Sequence, residues 1–176
     1  MAKFNNFLKV KKYFLNEDYS KINSWREFYI FISSFYEENR SLFSKEDIWA
    51  FDIENVVGLN PDDWLSEVPE QSLESEKKLL LREFNGTSHL LMRIKNFIDN
   101  MLTSYSEREC SITGDYFRFI AVEESNGKRC MLLECPTCYR IETLSGEHVK
   151  KINGEVFPVS KAEIKELEKN NVRILK

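Results

Sequence analysis

Apolar residues recur at three- and four-residue steps through the first hundred positions, then give way to alternation. Trp25, Phe28, Tyr29, Ile32, Phe35 and Tyr36 form one such stripe behind Ser24, which predicts a capped amphipathic helix over 25–39. Ser44, followed by Glu46 and Asp47, predicts a second N-terminus leading into Ile48, Trp49, Phe51, Ile53 and Val56, with Gly58 as its stop. Asn60-Pro61-Asp62-Asp63 reads as a turn or helix start, and 73–84 as a helix broken by Asn85-Gly86. Ser88 then caps a helix whose stripe is Leu91, Ile94, Phe97, Ile98, Met101, Leu102 and Tyr105.

Beyond Gly114 the period shortens. Residues 115–124 and 129–135 are rich in aromatic and β-branched types and flank Asn126-Gly127, a strong hairpin signal. A two-residue turn there would pair Ser125 with Lys128 and Glu124 with Arg129. Residues 139–144 read as a third strand. Residues 148–152 and 155–159 read as a second hairpin about Asn153-Gly154. Ser160 to Glu163 reads as a capping box for a helix over 161–169, and 172–175 as a closing strand. The expected class is α+β, a helical N-terminal part packed on a C-terminal antiparallel sheet. The expected organisation is one domain, 1–176, with a mainly helical half (1–109) and a mainly β half (110–176).

Composition narrows the class. Hydrophobic residues make up 42% and aromatics 13%, enough for a folded core. No apolar run approaches the roughly 20 residues of a membrane span, and the first ten residues lack a signal-peptide apolar region. A cytoplasmic location is expected, with no membrane partner. The four cysteines are then expected to be free or metal-bound rather than disulfide-linked.

The cysteines carry the most suggestive chemistry. Cys135-Pro136-Thr137-Cys138 can be a metal knuckle, a redox pair or a plain turn. Cys130 and Cys135 fall about 16 Å apart on one strand, on opposite faces, which removes Cys130 from any shared metal. Cys110 precedes the first strand and falls at the Cys135 end, so zinc on Cys110, Cys135 and Cys138, with His148 as a fourth candidate, is sterically allowed. The chain has one Cys-x-x-Cys, not two, and Tyr139 stands where a zinc ribbon usually has glycine. The redox reading needs a helix after the motif, whereas residues 139–143 alternate like a strand. No phosphate loop occurs, and neither His89 nor His148 has a nucleophile or carboxylate at a motif spacing, so no enzyme is expected.

Charge points elsewhere. Residues 37–76 hold two bases against twelve acids, a net −10 within a chain of −4. The stretch 61–76 has six acids, no base and one tryptophan: Asp62, Asp63, Trp64, Glu67, Glu70, Glu74 and Glu76. Acids around an aromatic anchor suit a basic protein and repel nucleic acid. In this character, small, locally acidic and aromatic-rich with no catalytic set, the chain resembles bacterial immunity proteins of contact-dependent and colicin-like toxin systems. The resemblance implies a non-enzymatic inhibitor that binds and blocks a cognate basic toxin, often a nuclease; no cofactor other than the zinc candidate is expected. The alternative expectation is a zinc-supported binding or regulatory module on the Cys135/Cys138 knuckle.

Overall fold

A computed structural model describes residues 7–12, 16, 18–66, 72–80 and 82–175. Helices come first and an antiparallel sheet of five strands follows, so the class is α+β. Among the described residues no helix is long and apolar enough to cross a membrane. The chain divides into two compact units: Met1–Asp62 with Glu70–Met101, and Asp63–Pro69 with Leu102–Lys176.

The first unit is helical. Helix α1 (Trp25–Asn39) begins where the Ser24 side chain accepts the Glu27 N–H, and it buries Phe28, Tyr29, Ile32, Phe35 and Tyr36. Helix α2 (Lys45–Ala50) is capped by Ser44 in the same way. It is shorter than its apolar pattern predicts: Asp52 turns into the left-handed region at φ +48°, and a single 3-10 turn, Ile53–Asn55, follows. Aspartate tolerates that conformation better than most residues. Ile53 and Val56 are buried by this turn instead of by a continuous helix. The Tyr29 hydroxyl fastens it by donating to the Val56 carbonyl at 2.7 Å, a buried bond that satisfies both groups.

Helix α3 (Pro61–Trp64) is one turn, and α4 (Leu73–Leu80) ends before the predicted Phe84. Arg93 meets that end, donating to the carbonyls of Leu79, Arg82 and Glu83. It comes from α5 (Thr87–Leu102), which buries Leu90, Leu91, Ile94, Phe97, Ile98 and Met101. Ser88 does not cap α5; its hydroxyl donates to Asp47 at 2.7 Å. His89 accepts the Asn85 N–H through Nδ1, a structural bond at the helix start.

The second unit holds β1 (Tyr105–Glu109), β2 (Tyr116–Glu123), β3 (Arg129–Glu134), β4 (Ile141–Thr143), β5 (Glu155–Phe157) and α6 (Lys161–Lys169). Tyr105 opens a strand and does not extend the preceding helix. β2 is central: β3 lies along one edge, while β1 and β5 share the other, β1 at Tyr116–Arg118 and β5 at Ala121–Glu123. Phe117, Phe119, Ala121, Leu133, Val159 and Leu167 form its core together with Cys110 and Cys135.

Two sequence expectations are corrected here. The β2–β3 register is one residue off: Glu123 faces Arg129, and Glu124 closes the loop with Lys128. The favoured two-residue turns all need positive φ at Asn126, and only Gly127 has it (+77°), so a three-residue loop forms. The second hairpin is absent. Its first arm folds back on β4 through Gly146, placing His148 opposite Glu142, and β5 pairs with β2 instead. Gly154 makes that possible, because a Cβ there would lie 2.4 Å from the Glu123 carbonyl oxygen. The closing segment does meet β1, through a bridge between Ser106 and Ile174.

Candidate metal centre

The loops joining β1 to β2 and β3 to β4 are built alike. In the first, the Gly114 N–H donates to the Cys110 carbonyl at 2.8 Å and the Cys110 N–H donates to the Asp115 carbonyl at 2.7 Å. In the second, the Tyr139 N–H donates to the Cys135 carbonyl at 3.0 Å and the Cys135 N–H to the Arg140 carbonyl at 2.9 Å. Gly114 and Tyr139 hold the same place and both adopt positive φ, +79° and +57°. The sequence expectation that Tyr139 departs from a knuckle pattern is therefore met in side chain only; its backbone takes the left-handed form that glycine normally supplies.

Superposed by position, Cys110-Ser-Ile-Thr113-Gly114 is a copy of Cys135-Pro-Thr-Cys138-Tyr139 with threonine in place of the second thiol. This second half-motif was missed in the sequence because it lacks its second cysteine. The signal that could have found it is Gly114 at the knuckle's glycine place.

The two turns bring three thiols together. Cys110, Cys135 and Cys138 have all their sulfurs within 4.8 Å of one another, Cys110 and Cys135 being buried and Cys138 half-buried. The Cys110 and Cys138 sulfurs are 3.7 Å apart, far beyond the ~2.05 Å of a disulfide. Two Zn–S bonds of ~2.3 Å at a tetrahedral angle put their sulfurs about 3.8 Å apart, so this pair already has the spacing zinc needs. Thr113 Oγ1 lies 3.3 Å from the Cys135 sulfur. Cys130 faces Val122 on β3 and is outside the group, as the strand spacing predicts. His148 is also outside: its Nδ1 lies 3.2 Å from the Ile141 carbonyl.

The surroundings favour thiolate at one corner. Burial works against ionising Cys110, but the N–H groups of Ile112 and Thr113, the Thr113 hydroxyl and the Cys138 thiol bring its pKa down to about 7. Cys138 receives a hydrogen bond from the Arg140 N–H, yet burial and the two neighbouring thiols push its pKa up. Hydroxyls of Thr137 and Thr113, one from each turn, hydrogen-bond Asp115 and hold its carboxyl below the usual range. Three convergent thiols suit a soft or borderline metal better than an oxygen-seeking cation. No helix follows Cys138; β4 does, after a turn, and the arrangement of a thioredoxin-type redox site is not present.

The acidic candidates are distributed differently. Asp62 accepts Arg26 Nε at 3.0 Å and Glu74 accepts Lys77 Nζ at 2.8 Å. Glu76 is buried and accepts from Asn100 at 3.4 Å. Asp63 is exposed; Trp64 is half-buried, with the Arg129 guanidinium 6.0 Å from its ring centre. Glu67 and Glu70 lie outside the described residues. The tryptophan that is open to solvent is Trp49 in α2, 85% exposed.

No protein-family model matches the chain, and no curated protein or solved structure matches it either.

Proposed function

We propose that this chain is a non-enzymatic protein-binding module whose β unit is held by a zinc ion on Cys110, Cys135 and Cys138. The observation that carries the reading is the pair of like-built turns that converge three sulfurs at metal-ligand spacing. Zinc there would tie the β1–β2 loop to the β3–β4 loop, adding to the contacts that Asp115 and Thr113 already make between them. The same turns expose large apolar side chains: Ile112 is 65% and Tyr139 69% exposed. Apolar side chains held outward on rigid turns are a contact surface for another protein. A reducing cytoplasm would keep all four thiols in the free form they have here.

Metal analysis of protein purified without chelator tests the zinc half, with about one zinc per chain expected and none after Cys138→Ser. A double variant, Ile112→Asp with Tyr139→Asp, tests the binding half: it should keep the metal and lose partners recovered by the wild type. Zinc well below one per chain in wild-type protein sinks the reading.

A toxin inhibitor remains the second reading, and Trp49 is the observation that favours it. This exposed ring lies within the −10 window, with Glu46 on its own helix and Asp52 just beyond. An aromatic anchor among acids fits a basic toxin surface. Trp49→Ala should then weaken capture of that toxin at least tenfold while leaving zinc content unchanged. Equal capture by both proteins counts against this reading.

A further inference from the structure

We infer that the metal held by Cys110, Cys135 and Cys138 keeps one coordination position open beside Thr113, for a small exogenous donor such as water, imidazole or a thiolate. The inference rests on the zinc reading above and deepens it. The matching turns fix four equivalent places, the first and fourth residue of each knuckle: Cys110, Thr113, Cys135 and Cys138. Three carry thiols. The fourth carries a neutral hydroxyl, which is not among the Cys, His, Asp and Glu ligands that close structural zinc sites. No other such donor is near: among the described residues the group contains these three cysteines alone. His148 is turned to the Ile141 carbonyl, and Asp115 is engaged by Thr113 and Thr137.

Four-coordinate zinc then has three protein ligands and a fourth corner filled by an exogenous donor, an open rather than a closed site. The Thr113 hydroxyl, 3.3 Å from the Cys135 sulfur, stands at that corner and can accept a hydrogen bond from a water that fills it. Exchange is simple substitution: a neutral imidazole enters as water leaves, with no change in charge or oxidation state. An incoming thiol binds as thiolate and releases its proton to solvent.

Cobalt(II) reports the ligand set by colour. Full-length protein is titrated with cobalt(II), then with imidazole. A thiolate-to-cobalt band followed by a saturable shift of the visible bands on adding imidazole is the expected result. Thr113→Cys supplies the fourth thiolate; its complex should bind cobalt at least tenfold tighter and show no shift with imidazole. If the wild-type complex forms but ignores imidazole, the site is closed and the inference is overturned. If Thr113→Val gains a response that the wild type lacks, the hydroxyl is itself the ligand, which also overturns it. Absence of any thiolate-to-cobalt band overturns the zinc reading itself, and so separates the two failures.

Discussion

The sulfurs of Cys110 and Cys138 lie 3.7 Å apart although 28 positions separate them in sequence. Cys110 closes β1 and Cys138 ends the turn after β3, so the spacing depends on two loops and the strand pairing between them. A metal at this place couples those loops to one another. Removing a single thiol should therefore cost both affinity and order. Cys110→Ser or Cys138→Ser is expected to weaken zinc binding by at least about a hundredfold, beyond the ~10–100-fold typical of outer-shell changes. Cys130→Ser should leave binding unchanged, since Cys130 faces Val122 on the strand. Competition against a chromophoric chelator measures all three. Equal loss in Cys130→Ser would mean that the strand register is wrong.

Tyr139 sits at φ +57°, a conformation that costs a side-chain-bearing residue roughly 1–2 kcal/mol. Its ring is mostly exposed, so packing does not repay that cost. Tyr139→Gly should relieve the strain, less what glycine adds to the freedom of the unfolded chain, for a net gain of about 0.5 kcal/mol. If the ring is kept for contact with a partner, the same change should weaken partner binding. Urea unfolding and binding titration together read the two effects. A stability loss of more than about 1 kcal/mol would show that the ring packs in solution.

Much of the fold is legible in the residue pattern, and the failures have identifiable causes. The stripes of α1 and α5 are long enough for periodicity alone to place them, and Ser24 and Ser160 cap as their positions predict. Asn126-Gly127 announces its hairpin, yet the same dipeptide serves a two-residue turn or a three-residue loop, and φ at Asn126 decides between them. Tyr105 continues the helical stripe in sequence and becomes a strand because β2 offers it a partner opposite Arg118. At the candidate metal centre the three thiols can be grouped from strand direction. Thr113 cannot be recognised, because its place is defined by backbone hydrogen bonds that match those of a turn 25 residues away.

Gly154 lets β5 lie against β2. It has no room for a methyl group, since a Cβ would sit 2.4 Å from the Glu123 carbonyl oxygen and 3.0 Å from Val122. The obstacle is backbone at the end of β2, paired on both sides by β3 and β5, so it cannot rotate away. Gly154→Ala should destabilise the protein by about 1–3 kcal/mol, through a displaced β5. Hydrogen exchange should then show faster exchange in β5, while the β3–β4 pairing keeps its protection. An unchanged unfolding midpoint would exclude this close approach.

Glu163 joins α6 to the sheet. Burial alone would raise its pKa, but Arg129 Nε at 2.6 Å and the Ser160 N–H at 2.8 Å outweigh that and hold it below the ordinary 4.5. Glu123 and the ring of Phe157 also face Arg129, so the guanidinium stays in place whichever state Glu163 takes. A carboxyl whose folded pKa is depressed contributes stability that is fully present above its unfolded pKa. That contribution disappears as pH falls through the lower, folded value. Solvent screens the partly exposed pair, which limits it to no more than about 1 kcal/mol. Wild-type protein should therefore exceed Glu163→Gln in stability by a constant margin at neutral pH. The margin should shrink below about pH 4.5, because glutamine keeps the capping geometry but carries no charge to lose. Denaturant midpoints of the two proteins between pH 7 and pH 3 measure it. A margin that persists at pH 3 would assign the contribution to packing and not to the ion pair.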